Sequence, residues 1–141
     1  MLRPEAVEAL HPSDLIIHAG DVGGPSVLTG LRAIAPTFAV RGNVDTAPWA
    51  RSLPATEVVE AGGLHLYVLH DLAELDLDPA AAGFSAVITG HSHRAAAEVR
   101  RGVLFLNPGS AGPRRFRLPV TAARLRVENG RLTHEIVELA V

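Results

Sequence analysis

Four short apolar runs in this 141-residue chain each end in a polar cluster, and that pattern constrains the fold more than any other feature. Residues 15–17 lead into Ala19-Gly20-Asp21, 37–40 into Arg41-Gly42-Asn43, 64–69 into His70-Asp71, and 86–89 into Gly90-His91-Ser92-His93. Each run reads as a buried strand delivering polar residues from its C-terminal end. In open α/β sheets ligands gather at the carboxyl ends of the strands, so clusters distant in sequence can meet in space. The glycines allow the backbone to approach such a site closely. There is no Cys, which excludes disulfides and thiolate metal sites and leaves carboxylate, amide and imidazole donors. Asp21, Asn43, His70, His91 and His93 are therefore candidate ligands, a set suited to Mn, Fe, Zn or Ni. Two such ions about 3.5–4 Å apart would activate water and clamp a phosphoryl group.

The rest of the chain supports a mixed α/β sandwich rather than an all-parallel sheet. Pro4 to Leu10 and residues 25–34 read as helices, each opening on a proline. Gly62-Gly63 and Asn129-Gly130 mark two hairpin turns, the second carrying the strongest short-range hairpin signal. Residues 71–83 read as a polar connection with a short Ala-rich helix, and 103–106 as a strand ending in Asn107-Pro108-Gly109-Ser110. A single domain spanning 1–141 is expected. The net charge of −2 provides no field to draw in nucleic acid or an anionic membrane. No run has the length to span a bilayer, and the N-terminus lacks a signal-peptide apolar region, so a cytoplasmic location is expected.

The segments HAGD (18–21), RGNVD (41–45), VLHD (68–71), GHSH (90–93) and NPGS (107–110) resemble, in order, the signature blocks of the calcineurin-like metallophosphoesterases. The similarity is to the compact bacterial and archaeal phosphodiesterases, relatives of the retromer subunit of the same fold. The resemblance implies an αββα sandwich of two mixed sheets flanked by helices. It implies two divalent metal ions bridged by Asp21, with Asn43, His70 and His91 completing one site and His93 serving the other. Asn43 would also touch the substrate phosphate, and Arg41 and Arg114 are candidate phosphate contacts. The function implied is hydrolysis of a small phosphate ester by metal-activated water.

Two departures accompany the match. The family opens with a central strand ending in Asp-x-His, and nothing before Asp21 supplies that pair; Met1 to Glu5 resembles the stretch just after it. The first central strand is thus expected to be missing, with one metal site incomplete. Unpaired backbone on its neighbours would then favour a homo-oligomer. Val44 stands where larger relatives carry a leaving-group His, so a modest rate is expected. The rival reading is a catalytically inactive scaffold that keeps the fold. His11, His18, His65 and His134 read as ordinary core or surface residues, with His18 and His65 the better placed for a supporting role. The turn 107–110 reads as chiefly structural.

Overall fold

The computed structural model describes residues 4–10, 13–20, 25–42, 48–92, 94–109 and 121–139. Helix α1 (Pro4–Leu10) precedes strand β1 (Ile16–His18), and helix α2 (Pro25–Arg32) precedes β2 (Thr37–Ala39). Seven strands follow: β3 (Thr56–Ala61), β4 (Leu64–Leu69), β5 (Ala86–Ile88), β6 (Ala96–Arg100), β7 (Val103–Asn107), β8 (Thr121–Glu128) and β9 (Arg131–Glu138). β1 and β2 pair in parallel. The largest sheet runs β3-β4-β5-β7-β6, with β4, β5 and β7 parallel and antiparallel strands at both edges. β8 and β9 form an antiparallel hairpin.

Both hairpin expectations hold, for a local reason. Gly62 and Gly63 have φ of 56° and 82°, and Asn129 and Gly130 have φ of 52° and 74°. A two-residue turn matched to strand twist needs positive φ at both positions, which glycine and asparagine tolerate.

Side-chain alternation sorts the strands into layers. Leu66 and Val68 of β4, Ala86 and Ile88 of β5, and Leu104 and Leu106 of β7 face inward, where they meet Ala19 and Val40 beyond the ends of β1 and β2. Ile17, Phe38, Leu125 and Leu132 pack against the same core, so β1-β2 and β8-β9 cover one face of the large sheet. Ile16 and Ala39 point the other way, onto Val27, Leu28 and Leu31 of α2. Tyr67, Leu69, Val87 and Val103 form the outer face of the large sheet, under Leu75, Leu77 and Phe84. The layers are thus helix, sheet, sheet and a covering segment. This is the expected αββα plan, with one difference. The fourth layer holds a short 3₁₀ turn (Leu72–Glu74) and hydrogen-bonded turns at 79–83 in place of an Ala-rich helix. Pro79 and Gly83 leave too few residues between them to repay helix nucleation, and Asp78 instead accepts from the Ala80 N–H at 3.1 Å. Strand β6 was not foreseen. Among the described residues, no helix is long and apolar enough to cross a membrane.

Leu66 is 2% exposed in the inter-sheet core, whereas Val58 on edge strand β3 is 47% exposed. Leu66→Ala is expected to lower stability in urea unfolding by about 2–5 kcal/mol. Val58→Thr should change it by no more than about 0.5 kcal/mol.

Candidate metal centre

His70, at the C-terminal end of β4, is the buried anchor of the strand-end rim, with 7% of its surface exposed. Its Nδ1 lies 2.7 Å from the carbonyl oxygen of Ala19, at the end of β1. A carbonyl only accepts, so Nδ1 carries the proton and the lone pair is left on Nε2, the tautomer a metal ligand needs. The bond ties one sheet to the other at their shared rim.

Glycine makes this contact possible. Gly20 has φ of 100°, and a Cβ there would overlap His70 Nδ1 and come within 2.8 Å of His70 Cγ and 2.9 Å of Gly42 Cα. A Cβ on Gly90 would lie 3.0 Å from the Ala19 carbonyl and 3.4 Å from His70 Nδ1. The Gly90 N–H donates to the His70 carbonyl at 2.9 Å. Gly20, Gly42 and Gly90, which end three separate segments, therefore meet around one imidazole. The residues preceding Asp21 and Asn43 in sequence converge at His70.

His91 completes the described part of the rim. Its ring stands edge-on to that of His70, with centroids 5.2 Å apart and planes at 83°. Its Nε2 lies 3.9 Å from Asp71 Oδ2, and Asp71 also caps the 3₁₀ turn by accepting from the Ala73 N–H at 3.0 Å. His91 has φ of 71°, a left-handed conformation that costs a non-glycine residue about 1–3 kcal/mol and persists where the surrounding contacts offset that cost.

Of the residues singled out from sequence, the structure brings together His70 and His91. Asp21, Asn43, His93 and Arg114 lie outside the described residues. Arg41 has an exposed side chain, and its N–H donates to the Pro54 carbonyl at 2.9 Å. His65 is a surface residue, 3.9 Å from Glu60 across the β3-β4 ladder, and His134 is exposed on β9. Among the described residues, no three His, Cys, Asp or Glu side chains converge closely enough to hold an ion by themselves. The donors present nonetheless suit a first-row dication: one imidazole with its tautomer set, a second imidazole beside it, and a glycine floor without side chains to block approach.

An α/β sandwich in which two small sheets cover one face of a large mixed sheet, with paired imidazoles at a glycine-lined strand rim, defines the class, and comparison with known proteins gives the family. Residues 1–130 match the calcineurin-like phosphoesterase superfamily domain. A probable metallophosphoesterase of Methanothermobacter thermautotrophicus is 30% identical over 142 residues, covering 95% of this chain and 81% of that protein. The chain belongs to the calcineurin-like phosphoesterase superfamily. Its fold is also that of wild-type Vps29 from Entamoeba histolytica, solved with Zn²⁺ (TM-score 0.75, 21% identity, 98% of this chain and 90% of that one). An archaeal phosphodiesterase gives a TM-score of 0.74 at 21% identity, covering 94% of this chain and 90% of that one.

The glycine floor yields a matched pair of substitutions. Gly63 also has positive φ but has open space where a Cβ would go. Gly63→Ala should cost only the backbone strain, about 1 kcal/mol, whereas Gly20→Ala should cost more and displace the His70 ring. Urea unfolding and the His70 ring resonances check both; equal costs with an unmoved ring would contradict the packing described.

Proposed function

We propose that this protein is a metal-dependent phosphoesterase acting on a small phosphate ester at the rim built around His70 and His91. The observation that carries the reading is the imidazole of His70, buried and held by the Ala19 carbonyl with Nε2 as its lone-pair nitrogen, beside a second imidazole. Family membership supports the reaction class. In this reading Asp21, Asn43, His70 and His91 hold one divalent ion, and Asp21 and His93 serve a second. Such ions, when bound, supply activated water and neutralise charge developing on the phosphoryl group.

The chain's own residues do the rest. Ala19 holds His70 in one tautomer, so no proton has to be displaced from the ligating nitrogen. The glycines at 20, 42 and 90 let a phosphate approach the backbone. Asn43 donates to a phosphate oxygen, and Arg41 and Arg114 add charge-assisted contacts. Arg41, exposed next to Gly42, is available for this role. The scaffold reading is consistent with the fold shared with Vps29, as the phosphoesterase reading is with the fold shared with the archaeal phosphodiesterase, and the same experiment decides between the two.

Hydrolysis of bis(p-nitrophenyl) phosphate with added Mn²⁺ is expected for the wild-type chain and should be abolished by EDTA. Loss of groups that only orient ligands costs 10–100-fold, so His70→Ala and His91→Ala should each lower kcat/KM by at least about 100-fold. Calorimetry should show weaker Mn²⁺ binding in both. Wild-type protein that binds Mn²⁺ yet cleaves neither phosphodiesters nor phosphomonoesters would establish the scaffold. Unchanged kcat/KM in both variants would remove the rim from the mechanism.

A further inference from the structure

We infer that Asn107 is the positioning residue that holds His91 in its left-handed conformation, an inference that rests, for its functional meaning, on the reading of His91 as a metal ligand. Asn107 ends β7, and its side chain reaches across to the loop after β5. Nδ2 donates to the Gly90 carbonyl at 2.8 Å and to Ser92 Oγ at 3.1 Å, the two residues flanking His91. Oδ1 accepts from the Gly109 N–H at 2.9 Å. The orientation of the amide follows from its partners, since the Gly90 carbonyl can only accept and the Gly109 N–H can only donate.

The loop's own bonds converge on the same two atoms. The Ser92 N–H donates to the Gly90 carbonyl at 2.9 Å, and the Arg94 N–H donates to Ser92 Oγ at 3.2 Å. Asn107 adds a second donor to each, so both flanks of His91 are pinned by one side chain. The turn bond centred on His91 closes its φ of 71°, a strained conformation for a residue with a side chain, and the two Asn107 bonds reinforce that turn at both of its ends. Asn107 is itself braced from behind. Gly109 has φ of 79°, a Cβ there would run into Thr121 Oγ1, and the Thr121 hydroxyl donates to the Pro108 carbonyl at 2.7 Å. A purely structural turn would need only the Oδ1 contact to Gly109. The Nδ2 contacts, 17 and 15 residues back in sequence, serve the His91 loop instead.

Asn107→Asp separates the two roles, because it keeps the acceptor for the Gly109 N–H and removes the donor to Gly90 and Ser92. In the metal-free full chain, the amide and ring resonances of His91 should shift or broaden in Asn107→Asp while those of Val87 and Leu104 stay in place. Zn²⁺ affinity measured by calorimetry should fall about 10–100-fold, the range for groups that orient a metal ligand. A folded Asn107→Asp variant with wild-type His91 resonances would overturn the inference. Wild-type protein that binds no Zn²⁺ would sink the metal-site reading, while the metal-free resonances would still decide the role of Asn107. Should Asn107→Asp fail to fold, Ser92→Ala, which removes one of the two anchors outside β7, carries the same comparison with a smaller expected shift; an unchanged His91 there would likewise overturn it.

Discussion

The hydrogen bond between His70 Nδ1 and the Ala19 carbonyl fastens the small parallel sheet to the large one at their strand-end rim. β1 belongs to the small parallel sheet and β4 to the large one, so no ladder connects their ends. The inter-sheet core of Leu66, Val68, Ala86, Ile88, Leu104 and Leu106 brings the sheets face to face. This one bond then sets how close their ends can come. It requires glycine at 20, where a side chain would occupy the ring's place. The Gly20 cradle and the His70 tautomer therefore rest on one contact, and a change in either should disturb the other.

Among its described residues, the rim holds one non-glycine residue in the left-handed region. His91 is a non-glycine residue at positive φ, and it lies between the two atoms that Asn107 holds. By contrast Arg101 and Asn129, also at positive φ, sit in tight turns beside Gly102 and Gly130, where local turn geometry accounts for them. His91 too is the centre of a tight turn, closed by the Ser92 N–H to the Gly90 carbonyl at 2.9 Å, but there a side chain from another strand adds donors to the turn's own atoms.

Much of this was legible from the sequence because the signals are local. The apolar runs at 64–69, 86–89 and 103–106 gave the central strands, and the Gly-Gly and Asn-Gly pairs gave the hairpins. β6 escaped because Ala96-Ala97-Glu98-Val99-Arg100 is exposed throughout and presents no apolar face to the core. It is a strand because β7 offers a ladder, and it is trimmed by Arg100, which bonds Glu98 at 2.8 Å and lies 5.0 Å over the Phe105 ring. The Ala-rich stretch before Phe84 misled for the opposite reason, since helix propensity without length does not make a helix. At the site, His70 and His91 were readable as strand-end histidines. Asn107 was not, because an Asn-Pro-Gly turn looks structural until its partners at Gly90 and Ser92 are seen in space.

The most direct test is an anomalous-scattering map from crystals of the full chain grown with Zn²⁺. Density about 2.1 Å from His70 Nε2, with His91 as a further ligand, is expected at the rim beside Gly20 and Gly90. Zn²⁺ bound only elsewhere, with both imidazoles unligated, would contradict the assignment of this rim as the metal centre.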